Sequence, residues 1–576
     1  MAFGALLRAL TIASVVCGVV GNNTPDISSV APTIVLDKGT FVGVSNGNVT
    51  SFRGIPFAEP PVGNNRFRVP VANDPYTGVH SAANYGLACL QQSSPLPIPG
   101  PGGLGMNEFI TGNSANSELA QGEDCLFQNV HIPANTKPNA KLPVAVWIFG
   151  GGFQFGATNA YNGNAIVQRS IAIGEPVVYV SMNYRLSAFG FLSSKEVNEA
   201  GVGNLGLQDQ RLALRWVQKY VHLFGGDPTK VTIWGESAGA LSVAYHLVVN
   251  GGNAEGLFRG AVMQSGSPNS LSDDPILAQS LYDGLVNKTG CTNSTDTLDC
   301  LRQVPAAQIS SAMSATPGLF ANGSLHLAWQ PRVDGKFITD LPGRLAANGS
   351  IARVPFIGAD VDDEGTIFGL SSLNVTDDAG FRNYITTFFL PNATSAQVDQ
   401  VLQLYPSDPT QGSPFNTGTQ NAITPQFKRM AAFLGDFVFQ APRRAFMQET
   451  AGKQDSWALQ IQRGKMTPVL GSLHTSDISL AYGGTDLTDI VVNFVNHLKP
   501  NGKTVLQWPK YSASNPQMLA LVDGTMPQQI INDTFRQDAM AFLFSLNENF
   551  VNATANLCVF ESSGIFIKVG SAEVSL

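Results

Sequence analysis

The chain has 576 residues, 44% of them hydrophobic and only 13% charged, with a net charge of −8. The charged share is about half the usual one, which excludes a charge-driven disordered chain and a coiled coil. No basic block is present, so no nucleic-acid partner is expected, and the length supplies ample apolar material for a large core.

Near the start, Arg8 precedes the apolar run Ala9–Val20. The run is too short for a bilayer, which takes about 20 apolar residues. Val19 and Gly21 offer a small-residue cleavage site, so residues 1–21 read as a secretory signal peptide. No linker divides the rest, and 22–576 reads as one large domain. No later stretch is long enough to cross a membrane and the C-terminus lacks an anchor signal, so no stable membrane insertion is expected. Ten Asn-x-Ser/Thr sequons occur, at Asn22, Asn48, Asn287, Asn293, Asn322, Asn348, Asn374, Asn392, Asn532 and Asn552. With a leader they favour a secreted, extracellular glycoprotein whose acceptors lie on exposed loops. Of six cysteines, Cys17 leaves with the leader. Cys89 and Cys125 flank a Pro/Gly-rich stretch and Cys291 and Cys300 a short polar loop. Two disulfides are expected there, with Cys558 left free. No CxxC or close Cys/His pairing supports zinc, and neither metal nor cofactor is expected.

Along the chain, apolar runs bounded by turn residues alternate with helical patterns, which predicts an α/β fold. Val144–Phe149 and Val177–Val180 read as strands buried on both faces. Gln208–Phe224 places Ala213, Val217, Val221 and Phe224 on one helical stripe. Val231–Trp234 is a short strand, Ala238–Val249 a helix and Phe258–Gln264 a strand. Val354–Gly358 and Trp457–Gln462 are later strands. Between these two, Asp377–Glu449 is largely helical and suits a cap over one end of the sheet.

Gly235-Glu236-Ser237-Ala238-Gly239 stands between a strand and a helix. A G-x-S-x-G corner there lifts a serine hydroxyl clear of the sheet, and the helix behind it favours negative charge. Serine alone is a poor nucleophile and requires a base, which requires an orienting acid. Gly150-Gly151-Gly152, after the Val144–Phe149 strand, suits backbone donors to an oxyanion. Among seven histidines, His80 and His131 precede the serine, against the order Ser…acid…His. His222 and His246 sit on helical patterns beside the core. His326 and His497 lack a supporting glycine-rich loop. His474, in Gly471-Ser472-Leu473-His474, follows a strand.

The run Phe224–Gly239 (FGGDPTKVTIWGESAG) closely resembles the active-site signature of the type-B carboxylesterase/lipase family, which includes fungal lipases, sterol esterases and cholinesterases. FRGIPFAEPPVG (Phe52–Gly63), EDCL (Glu123–Leu126), FGGGFQFG (Phe149–Gly156) and GNLGLQDQRLALRWV (Gly203–Val217) are similar too. The match is dense from Phe52 to Pro268, then returns around Glu364 and His474. Phe127 and Gln128 depart from the family's second signature. The resemblance implies an α/β-hydrolase fold, a large mostly parallel sheet flanked by helices. It implies a secreted serine hydrolase that cleaves carboxylic esters through an acyl-enzyme. The implied catalytic residues are Ser237, Glu364 and His474, with the amides of Gly151, Gly152 and Ala238 as oxyanion hole. Glu364 is selected over Asp360, Asp362 and Asp363 because the family's acid is Glu followed by Gly. Otherwise those aspartates read as a solvated acidic loop. Ion pairs Arg53–Glu123 and Arg185–Asp209 are implied as scaffold. In the family the Cys89–Cys125 loop lies over the active-site gorge. Here Leu90–Ile110 alternates prolines with apolar residues and carries no Trp or Tyr, which predicts an extended flap and poor turnover of choline esters. The partner is then a small-molecule or lipid ester, with carboxylesterase or lipase/sterol esterase as the alternatives, beside a non-catalytic binding module on the same fold.

Overall fold

The computed structural model describes residues 31–94, 120–268 and 274–546. The expected leader, most of the proline-rich flap, Cys558 and the sequons Asn22 and Asn552 lie outside them. No helix among the described residues is long and apolar enough to cross a membrane.

Eleven strands form the main sheet. In chain order they are β1 (Val44–Asn46), β2 (Val49–Pro56), β3 (Phe127–Pro133), β4 (Leu142–Ile148), β5 (Val178–Met182), β6 (Gly226–Glu236), β7 (Gly260–Gln264), β8 (Phe356–Val361), β9 (Ser456–Ile461), β10 (Gln517–Leu521) and β11 (Gln528–Asn532). Their spatial order is β11-β10-β9-β8-β7-β6-β4-β5-β3-β2-β1. From β5 to β10 every pairing is parallel, and the pairings outside that stretch are antiparallel. Parallel strands need crossovers that place helices on both faces, so their side chains are buried both ways. All residues of β5, β7, β8 and β9 are buried accordingly. Thr33–Leu36, Lys38–Val42 and Thr77–Ser81 form a separate three-stranded sheet.

The helices that matter for the site are α1 (Leu205–Tyr220), α2 (Ala238–Val248), the inserted α3 (Asp378–Phe388), α4 (Ser395–Leu404), α5 (Phe427–Gly435) and α6 (Ala441–Thr450), and then α7 (Ser476–Tyr482) and α8 (Asp486–His497). The expected stripe of α1 is buried, although its last turn, Val221–Phe224, tightens to 3-10 geometry. Every residue of α2 is buried, as suits a helix apolar all round. The helical insertion falls between β8 and β9 as expected. A π-turn at Asp436–Gln440 separates α5 from α6, and α6 packs on β8 and β9.

Both expected disulfides are formed, Cys89–Cys125 and Cys291–Cys300. The Arg185–Asp209 pair is present and buried, with two guanidinium contacts of 2.6 and 2.8 Å. The Arg53–Glu123 pair is not. Glu123 is held instead by Arg66, at 2.5 and 2.7 Å. Arg66 also donates to the carbonyls of Leu301, Arg302 and Val304. Arg53 lies beside an irregularity of β2 between Phe52 and Ile55 and stacks over Tyr85, 5.1 Å from the ring centre.

Candidate active site

The nucleophile candidate sits where β6 turns into α2. Ser237 has φ 55° and ψ −126°, a backbone state that costs about 1–3 kcal/mol and is tolerated only when its surroundings impose it. Here the Ser237 amide donates to Gln264 of β7 at 2.8 Å, and its carbonyl accepts from Leu241 at 2.9 Å. The two glycines of the motif have a steric cause. A Cβ on Gly235 would lie 2.4 Å from the Gly239 backbone, and one on Gly239 only 2.0 Å from the Ile148 carbonyl of β4. Strand, turn and helix thus pack closer than any side chain allows.

The acid candidate follows β8 and the base candidate follows β9. All three groups therefore emerge at the carboxyl ends of parallel strands, where open α/β sheets hold their ligands. His474 Nε2 lies 2.9 Å from Ser237 Oγ, and His474 Nδ1 lies 2.5 Å from Glu364 Oε2. Glu364 Oε1 accepts the Val361 amide at 2.8 Å, which fixes the carboxylate against its own strand. Gly365 is required by the neighbouring helix: a Cβ there would meet the Ala431 carbonyl of α5 at 1.9 Å. This is a physical reason for glycine after the acid. The rings of Phe368 and Phe439 pack on the imidazole, with centroids 5.1 and 4.7 Å away, and Phe439 belongs to the π-turn.

The three aspartates beside Glu364 are not a solvated loop. Asp360 is buried on Arg443 at 2.6 Å. Asp362 takes Gln460 at 3.1 Å and also Lys465. Asp363 accepts Ser413 Oγ, the amides of Phe415 and Ser472 and Lys465 Nζ, at 2.7–2.9 Å. It clamps the loop that leads to His474. Only Glu364 reaches the imidazole. Of the other histidines, His131 and His246 are buried on Asn164 and Gln210, consistent with structural roles.

Electrostatics reflect the burial. Loss of water pushes the Glu364 carboxyl up to about 8 and holds the His474 imidazole down at about 4. Two further acids close by were not singled out in the sequence. Glu236 Oε1 lies 3.5 Å from His474 Nε2 and has no hydrogen-bond partner among the described residues. Burial, with Asp477 and Glu364 adding to it, raises its pKa well above the ordinary value. Asp477 accepts Gln264 Nε2 at 2.5 Å, and burial raises it to about 6. The signal for Glu236 was its place inside the motif, and for Asp477 its position three residues after His474, in the first turn of α7.

Ser237 and His474 border a cleft of about 520 Å³. Gly150 and Gly151 border it too, and Phe155, Leu319, Phe320, Ile367 and Phe368 make much of the wall apolar. The amides of Gly151 and Gly152 have no partner among the described residues. That of Ala238 opens α2 and has no carbonyl four residues back. No cluster of His, Cys, Asp and Glu among the described residues is arranged to hold a metal.

A serine on a strained strand-to-helix corner, bonded to a histidine and through it to a glutamate at one end of this sheet, defines an α/β-hydrolase. Residues 31–542 match the model of the Carboxylesterase family. The chain is 43% identical to Lipase 4 of Diutina rugosa over 84% of its own length and 90% of that protein. It is 39% identical to the secreted triacylglycerol lipase of Gibberella zeae over 89% and 90%. The crystal structure of Aspergillus niger EstA superposes with a TM-score of 0.76 at 29% identity, covering 90% of this chain and 98% of that one. The chain belongs to the carboxylesterase family and is a serine hydrolase of carboxylic esters.

Proposed function

We propose that Ser237, His474 and Glu364 carry the reaction and that the substrate is an uncharged ester with an apolar acyl or alcohol part. The observation that supports this most is the continuous hydrogen-bonded line Ser237–His474–Glu364 at the cleft. Ser237 Oγ attacks the ester carbonyl while His474 Nε2 takes its proton. The oxyanion receives the amides of Gly151, Gly152 and Ala238. His474 then protonates the leaving alcohol and activates water to release the acid. Glu364 holds Nδ1–H and stabilises the imidazolium. No step calls on a metal or cofactor.

The apolar wall of the cleft fits hydrocarbon. The names of the fungal relatives favour long-chain, water-insoluble esters as the second reading. A leader at 1–21 with one catalytic unit at 22–576, released outside the cell, fits both the sequence and the relatives named as secreted. A panel of p-nitrophenyl esters from short to long chain, a triglyceride, a sterol ester and a choline ester tests the substrate class. Apolar esters should exceed the choline ester in kcat/KM. A choline ester turned over faster than its uncharged counterpart would contradict the proposal.

A further inference from the structure

The geometry points to Asn532 as an N-glycosylated residue whose proximal sugars occupy a second cleft, away from the active site. The inference rests on the secretory route proposed above.

Asn532-Asp533-Thr534 is a sequon, and Asn532 is exposed at the end of β11, the outermost strand of the sheet. It borders a cleft of about 490 Å³, a size in the range of small-molecule sites, about 300–1,000 Å³. One wall is flat: the Arg536 guanidinium lies 3.6 Å from the Phe415 ring centre and 5.0 Å from that of Phe535. The carboxamides of Asn532, Gln462 and Asn416 on its rim take part in no hydrogen bond among the described residues. A flat apolar-and-guanidinium wall beside uncommitted amides matches N-acetylglucosamine, which offers a C–H face, an amide and several hydroxyls. The other seven described sequon asparagines are exposed too, but none borders this cleft.

The attachment is a group transfer. Asn532 Nδ2 forms a bond to the anomeric carbon of an oligosaccharide carried on a polyprenyl diphosphate. The carbon–oxygen bond to the diphosphate breaks, the diphosphate leaves with the electron pair, and the amide nitrogen loses one proton. Two consequences follow from where the sugar sits. It covers the open edge of β11, whose Ile530 and Ile531 are half-exposed, against pairing with another chain. It also braces the segment that carries Asp533, the buried partner of Arg443 and Arg444.

Peptide mapping and hydrogen exchange of the protein secreted from a eukaryotic host test this. Asn532 should be occupied. Removing the whole glycan from the folded protein should speed exchange in 528–532 and 410–416 about tenfold. Asn532→Gln and Thr534→Ala should each lower the melting midpoint by about 2–4 °C, with Asn392→Gln unchanged and activity retained. Sugar at other sequons but not at Asn532 would overturn this inference alone, as would complete removal of the glycan with no change in exchange. A chain without sugar at any sequon would overturn the secretory reading and this inference with it.

Discussion

At the scale of single residues, the site depends on where one proton resides. Glu364 and His474 share a 2.5 Å hydrogen bond, and burial pushes the carboxyl up to about 8 and the imidazole down to about 4. The two groups therefore titrate as a coupled pair rather than as independent sites. Only the deprotonated pair has an Nε2 free to accept from Ser237. The kcat/KM should thus rise with pH along an acid limb between about pH 4 and about pH 8, and Glu364→Gln should shift or abolish the limb. A profile flat from pH 8 to pH 4 would contradict a histidine base. Ser237 was legible because its motif has a steric logic that leaves a sequence trace. Glu364 was legible only through the resemblance, since four carboxylates stand within five residues. The structure separates them by what each already binds. Glu236 was missed because the sequence shows its place in the motif but not its distance from His474.

At the scale of elements, apolar runs located the central parallel strands, because strands buried on both faces cannot be polar. The outermost strand β11 and the small N-terminal sheet left a weaker pattern, with one face or edge toward water. The Arg53–Glu123 expectation failed because the sequence does not show that Arg66, and not Arg53, reaches Glu123. Glu364 and α5 illustrate how elements set the site. Gly365→Ala would drive a Cβ into the Ala431 carbonyl and force α5 from β8. We expect a stability loss of about 1–3 kcal/mol together with a lower kcat, since α5 leads into the π-turn whose Phe439 packs on His474. Chemical denaturation and steady-state kinetics on one preparation check both. Wild-type values in both would mean that the close approach is not needed.

At the scale of the whole molecule, a buried charge cluster ties the sheet's late strands to the insertion. Arg443 of α6 binds Asp360 of β8 and Asp533 just after β11, and Arg444 binds Asp533 as well. Burial alone would raise the Asp533 carboxyl. The two guanidiniums overcome it and hold the pKa well below the ordinary 3.8. A carboxyl so depressed contributes stability that is present above its unfolded value and is lost as pH falls through and below 3.8. Asp533→Asn should therefore cost about 3–5 kcal/mol at neutral pH, because it strands buried guanidiniums. The difference from wild type should shrink in strong acid. Thermal unfolding of both proteins across pH 3–7 measures this, and an equal penalty at every pH would refute the cluster's role.

The central claim is that ester cleavage passes through an acyl group on Ser237. The most direct measurement is peptide mass spectrometry of the enzyme quenched during turnover of a p-nitrophenyl ester, and separately after reaction with an aryl phosphonate. The added mass of the acyl or phosphonyl group should appear on the peptide containing Ser237, with no adduct in Ser237→Ala. Hydrolysis that persists at the wild-type rate in Ser237→Ala, or an adduct on another residue, would contradict it.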